Sequence, residues 1–416
     1  MRQREITMKI SCPATTDATA STIEGGRAYV ADMARRLAPY FARSGSRQHA
    51  LTYLQGLLSE AERKNSWQVA EVCGEPTPYG FQDLLSRADW DADAVRDELR
   101  TYSMQHVGDP NGVLVLDETG FLKKGQHSAG VARQYSGTVG KVDNCQIGVF
   151  LSYASRLGYA LLDRELYLPR AWTDDRERCR QVGIPEDRRF ATKPQLAQQM
   201  LARALAAGVP ATWVTGDSVY GENRPLRQWL EAQPQAYVLA VSGKDYVWLG
   251  AQQRQVKTLL ASLPVEGWTR LSAGDGAKGP RWYDWRWVSL ADPVDPTWRR
   301  WLLVRRSLSE PSDLTAYGVF APLPTTLEEV VRVAGSRWTV ESSFEAAKGE
   351  VGLDHYEVRS WTAWYRHITL AMWALALLTV MRAGTIAVEA LKKSLRSPQE
   401  TSPLAAFKAR RGLASR

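Results

Sequence analysis

Three acidic residues stand in settings that suit ligands of a divalent metal ion. Asp117 ends the apolar run Val113-Leu114-Val115-Leu116, Asp217 ends Trp213-Val214-Thr215-Gly216, and Glu341 lies in an amphipathic stretch with helical spacing. Hard cations such as Mg²⁺ take carboxylate oxygens and keep water and substrate phosphates as their other ligands, so three such carboxylates meeting in space could hold a metal pair. Chemistry of that kind cuts phosphodiesters. Arg337 precedes Glu341 by four residues and Lys348 follows it by seven, steps that fall on one face of a helix. A solvated ion-pair face is the plainer reading of such charges, but it leaves the two strand-end aspartates without a role.

The elements around these residues divide the chain into pieces. Residues 24–105 carry mostly helical patterning, as in Ala28 to Leu37 and Arg47 to Leu58, up to the Gly108-Asp109-Pro110-Asn111-Gly112 break. Strands are expected at 113–117, 146–153, 159–168, 213–217 and 237–242, with a helix from Gln195 to Ala207, which makes an α/β layer fold. From 243 the texture turns to short Trp-rich strands broken by Gly and Pro. Seven of the 16 tryptophans (Trp248, Trp268, Trp282, Trp285, Trp287, Trp298 and Trp301) fall there, too many for a loop, so an all-β insertion is expected. Helix resumes at Thr326, where Thr326-x-x-Glu329 has the spacing of a capping box.

The 416 residues and 44% apolar content allow sizeable cores. The +8 net charge favours a polyanionic partner, and five of those charges sit in residues 385–416, which read as a basic tail or DNA arm. Cys12, Cys73, Cys145 and Cys179 are scattered without metal-ligand spacing, as expected of reduced thiols in the cytoplasm. Residues 1–30 lack the apolar core of a signal peptide. The apolar stretch Ile368 to Val380 is shorter than the roughly 20 residues that span a bilayer, and reads as a buried core helix.

The ordered motifs D-E-T-G-F at 117–121, G-D-S-x-Y-G at 216–221 and R-W-x-x-E-x-x-F-x-x-x-K at 337–348 resemble the DDE transposases of bacterial insertion sequences. The R-x3-E-x6-K spacing is similar to the Y-x2-R-x3-E-x6-K signature of the insertion-sequence-four superfamily, with Ala334 where that signature has Tyr. K-K-G-x-H-S-x-G-V-A-R-Q-Y at 123–135, D-N-C-Q at 143–146 and G-L-D-x-Y-x-V-R at 352–359 resemble its family seven-oh-one branch. The likeness spans roughly residues 110–370.

The resemblance implies an RNase H-like core at 109–242 and 323–384, interrupted by the β-rich insertion at 243–322, with a helical DNA-binding domain at 1–108 and the basic tail at 385–416. It implies Asp117, Asp217 and Glu341 as catalytic ligands of two Mg²⁺ ions, with Mn²⁺ able to substitute, and Asp117 shared between them. Arg337 and Lys348 would hold the scissile phosphate, Lys123, Lys124 and Arg133 would contact the same strand, and neither His127 nor His355 is assigned as a base. The run Trp301-Leu302-Leu303 is similar to the strand that carries a base-stacking tryptophan in hairpin-forming members. The expected protein is a nucleoid-associated bacterial transposase without a membrane segment. It would act as a homodimer on double-stranded DNA, cutting the terminal inverted repeats of its element and joining them to a target. The rival readings are a domesticated DNA-binding protein that does not cut and an RNase H-like nuclease without strand transfer.

Overall fold

The computed structural model describes residues 18–276, 279–291 and 295–396. Helices come first: α1 (Ala18–Leu37), α2 (Ser44–Leu57), α3 (Ser66–Cys73), α4 (Tyr79–Ser86) and α5 (Ala92–Val107). Their boundaries follow from local chemistry. The Asn65 side chain accepts from the amides of Trp67 and Gln68 to start α3, and Gly74 stops it in the left-handed region at φ 71°. Asp91 caps α5, whose Val95, Leu99 and Tyr102 are fully buried.

The chain then alternates: β1 (Gly112–Leu122), β2 (Ala132–Ser136), β3 (Lys141–Ser155), β4 (Gly158–Tyr167), α6 (Arg170–Thr173), α7 (Arg176–Gln181), α8 (Lys193–Ala206), β5 (Ala211–Gly216), α9 (Ser218–Gly221), α10 (Arg224–Ala232) and β6 (Ala236–Val241). Strand β1 lies at the hub. It pairs antiparallel with β3, itself paired with β4, and parallel with β5, which pairs parallel with β6. Both faces of β1 and β5 are covered, which explains why their sequences read as near-continuous apolar runs instead of alternating ones.

Beyond β6 come β7 (Tyr246–Leu249), β8 (Gln252–Gln255), α11 (Val256–Ala261), β9 (Thr269–Gly276), β10 (Gly279–Ser289), β11 (Trp298–Arg306) and β12 (Leu314–Pro322). The Trp-rich segment departs from the expectation of an all-β insertion in two ways. It contains helix α11, which buries Val256 and Leu259 one turn apart. Its strands β12, β11, β10 and β9 also extend the central sheet edge to edge from β6, giving ten strands in one sheet, while β7 and β8 form a separate hairpin. Some of the tryptophans pack on that extension: Trp285 is fully buried and Trp298 stacks on Phe320 with centroids 4.5 Å apart, whereas Trp248 and Trp282 are exposed.

The last helices are α12 (Leu327–Ser336), α13 (Trp338–Val351) and α14 (Trp361–Arg396). Thr326 accepts the Glu329 amide, but the reciprocal half of the expected capping box is missing, because the Glu329 carboxylate is taken by Trp213 Nε1 at 3.0 Å. The full box is at Thr192 and Gln195, opening α8. Helix α14 carries the Ile368–Val380 stretch. It contains a 25-residue segment, Trp361–Thr385, long and apolar enough to cross a membrane, yet 72% of its most apolar window is buried inside the protein. It packs on α2, α4, α5 and β4, and Trp373 Nε1 donates to the Val95 carbonyl at 3.0 Å. Buried residues of α1–α5, the sheet, α13 and α14 form one contiguous core. Helix α14 continues through the first part of the basic segment to Arg396; residues 397–416 and Cys12 lie outside the described residues. Cys73, Cys145 and Cys179 are free thiols.

Candidate active site

Two of the three acidic residues are brought together by strand register. Leu116 of β1 pairs with Gly216 of β5 on adjacent parallel strands, so Asp117 and Asp217 follow side by side where that pairing ends: β5 stops at Gly216, whereas β1 runs on past the strand end expected at 117, through Asp117 to Leu122, because β3 continues to pair with it. That position, beside the strand where pairing changes from antiparallel to parallel, is where open α/β sheets place ligands. Gly216 lets the strands and α9 approach closely, since a Cβ there would lie 3.3 Å from both Leu116 and Tyr220.

Local hydrogen bonds fix each carboxylate. Asp117 Oδ1 accepts from the Glu118 amide at 2.8 Å, and Asp217 caps α9 by accepting from the Val219 amide at 2.9 Å. Burial, followed by the charges of Glu118 and Asp217, pushes Asp117 up to about 7, against the opposing pull of Arg337. Asp217 is raised for the same reasons, burial first and Glu118 next, with Arg337 and Lys193 opposing. Burial first, and neighbouring acids next, thus make both carboxylates costly to ionise without a cation beside them. An oxygen donor set in that condition fits a hard divalent cation.

Glu341 is held apart. It is the solvent-facing partner of Arg337, whose Nη2 lies 3.4 Å from Glu341 Oε1, and the Glu341 side chain is 57% exposed. Among the described residues no three His, Cys, Asp or Glu side chains are close enough to hold an ion together. The structure thus brings Asp117 and Asp217 together within reach of the charge of Arg337, and Arg337 pairs with Glu341.

Two of the three expected phosphate-binding lysines are tucked against protein. Lys348 Nζ donates to the Gly120 carbonyl at 3.2 Å and to Thr138 Oγ1 at 3.1 Å, and burial lowers its pKa. Lys123 Nζ lies 3.4 Å from the centre of the Tyr356 ring and donates to the Tyr356 carbonyl at 3.1 Å, and burial lowers it to about 8. Lys124, Arg133 and His127 are exposed. His355 Nδ1 accepts from the Lys64 amide at 3.1 Å. Trp301 is only 8% exposed, and one face of its indole stacks on Trp287, with centroids 5.1 Å and planes 14° apart. Ala334, at the signature's Tyr position, is buried.

Sequence reasoning missed Glu118, Tyr220 and Lys193. Glu118 accepts from Tyr220 Oη at 2.6 Å and from Lys193 Nζ at 2.6 Å, tying β1 to α9 and to the start of α8. Strand alternation sends the Glu118 side chain to the face opposite Asp117, which hid its part in the site. The Tyr in G-D-S-x-Y-G was the available signal.

Comparisons with known proteins bear on the family of the chain. The family described as "DDE superfamily endonuclease" matches residues 36–259, and the family described as "Transposase DDE domain" matches residues 187–377. The chain is similar to "Probable transposase for insertion sequence element IS701" of Microchaete diplosiphon, with 27% identity over 323 residues, covering 74% of this chain and 77% of that one.

Proposed function

Because the chain belongs to the DDE endonuclease superfamily and is an enzyme of its transposase kind, we propose that it binds the terminal inverted repeats of its own element, cuts them and joins them to target DNA. The observation that carries this reading is the placing of Asp117 and Asp217 side by side where the parallel pairing of β1 and β5 ends, both raised by burial and by neighbouring acids. In this reading β4-β3-β1-β5-β6 is an RNase H-like core, and the protein acts on DNA as a homodimer, since two ends are handled together. Asp117 and Asp217 would hold Mg²⁺, and Glu341 would be freed to join them when Arg337 turns to a DNA phosphate. When bound, the metal supplies Lewis-acid polarisation of the scissile phosphate and lowers the pKa of an attacking water or 3′-hydroxyl.

The residues of the chain do the rest. Arg337 offers a two-pronged donor to phosphate and, on making that contact, gives up its pair with Glu341. Glu118 fixes Tyr220 and Lys193 behind the aspartates, so the strand ends stay in register as charge rearranges in front of them.

The test compares parent protein with Asp117→Asn, Asp217→Asn and Glu341→Gln on labelled duplexes carrying the inverted repeats that flank the gene, with and without Mg²⁺. Each substitution is expected to abolish metal-dependent cutting and to leave end binding nearly intact. In the parent, saturating Mg²⁺ should add about 2 to 3 kcal/mol of stability at roughly a hundredfold excess over its Kd, an increment that Asp117→Asn loses. Normal cutting by any of the three variants overturns the assignment.

A further inference from the structure

Trp338, the residue between Arg337 and the catalytic turn of α13, is surrounded by arginines from the extended sheet. Arg281 of β10 lies over its ring, Cζ 4.3 Å from the centroid; Arg305 of β11 is 5.5 Å away and Arg337 itself 6.0 Å. Tyr283 of β10 lies nearly parallel to Trp338, with planes 9° apart and centroids 6.3 Å apart, and Arg305 Cζ sits 4.6 Å from the Tyr283 ring. Three guanidinium groups therefore gather on one aromatic pair.

Arg337 has Glu341, but among the described residues the other two lack an acidic partner, unlike their neighbours. Arg270 and Arg306 share Asp284 at 3.0 Å each, and Arg227 has Asp245 at 2.9 Å. Among the described residues neither Arg281 nor Arg305 has a carboxylate within ion-pair distance. Arg305 donates only to Thr315 Oγ1, at 2.8 Å, and Arg281 Nε is buried without a hydrogen-bond partner. Cation–π contact orients a guanidinium and leaves its edge donors unspent, and like charges placed together are costly without an anion between them. Planar, pre-oriented forks of this kind suit phosphate oxygens.

We infer that Arg281 and Arg305, braced on Trp338 and Tyr283, form a phosphate-binding shelf that continues from Arg337 across β10 and β11 and takes the backbone of a DNA strand leaving the acidic site. The inference rests on the transposase reading and adds the path of the strand: over the extended sheet, on the side of Arg337. Arg281 and Arg305 hold phosphates and position the strand, with no part in bond breaking.

The test measures binding of a fluorescent duplex oligonucleotide to full-length Asp117→Asn protein across a range of salt. Adding Arg281→Gln and Arg305→Gln is expected to flatten the slope of log K against log salt by about 1 per arginine. Arg281→Lys with Arg305→Lys should keep most of it, and Arg270→Gln, whose charge Asp284 already meets, should leave it unchanged. The parent protein supplies a second measurement that needs no substitution: duplex DNA should protect Arg281 and Arg305 from an arginine-directed dicarbonyl reagent, read by mass spectrometry. An unchanged slope in a double variant that melts like the parent, or equal modification with and without DNA, overturns the shelf. Absence of metal-dependent cutting in the parent would instead overturn the transposase reading and leave these two results standing.

Discussion

Arg337 stands between two acidic partners: its guanidinium lies 3.4 Å from the Glu341 carboxylate one helical turn on, and its charge also reaches Asp117 and Asp217 where β1 and β5 part. One cation thus tempers three acids that the proposed chemistry needs charged. Its effect on Asp117 has a definite sign, since a nearby cation favours the ionised carboxyl. In metal-free Arg337→Met, Asp117 should titrate higher than its present value of about 7, and carboxyl carbon NMR of the labelled side chain would detect it. A value that stays put would mean that Arg337 faces only Glu341.

Trp301 tests whether a base can reach the sheet extension. Its indole is buried and one face is already covered by Trp287, so a flipped base could stack there only by displacing a core residue. Trp301→Ala should cost about 3 to 5 kcal/mol of stability, through lost burial and the cavity left behind, and should reduce first-strand nicking and later steps alike. Selective loss of a later step in a variant of normal melting temperature would restore the base-stacking role.

The parts of the site that were legible in the sequence are those set by the chain's immediate neighbourhood. Asp117 and Asp217 stood out because a doubly covered parallel strand writes itself as an apolar run; the residue that breaks the run marks the strand end for Asp217, but β1 continues past Asp117 to Leu122 because β3 still pairs with it. The surroundings of Lys348 and Lys123 were not legible: Gly120 and Thr138, which hold Lys348, are 228 and 210 residues away, and Tyr356 is 233 residues from Lys123. Glu329 fits a capping box by spacing, yet Trp213, 116 residues distant, claims its carboxylate. The Trp-rich segment announced strands by composition, but a one-residue-at-a-time reading cannot show that β12 pairs with β6 and so joins the main sheet. Position along the chain fixes caps and strand ends, whereas partners across the fold decide which charges remain free for a substrate.

His367 of α14, buried against Tyr53 and Gly352, gives an acid limit to stability. Its Nδ1 is 2.9 Å from Tyr53 Oη and its Nε2 is 3.2 Å from the Gly352 carbonyl. Because a carbonyl can only accept, Nε2 carries the hydrogen and Nδ1 accepts from the tyrosine, a neutral imidazole with both nitrogens satisfied. Burial, the dominant cause, lowers its pKa to about 3. The unfolded chain takes up this proton below about 6.5 while the folded chain refuses it until about 3, so the stabilisation is complete above about 6.5 and drains away as pH falls through that window, at up to about 1.4 kcal/mol per pH unit. His106 and His355 are lowered by burial as well, which makes the difference between parent and His367→Gln the informative quantity. Glutamine offers an acceptor and a donor but no titration, so its unfolding free energy should fall less steeply between pH 6.5 and 3 than the parent's. Parallel acid limbs in urea titrations of the two proteins would show that His367 is not held neutral.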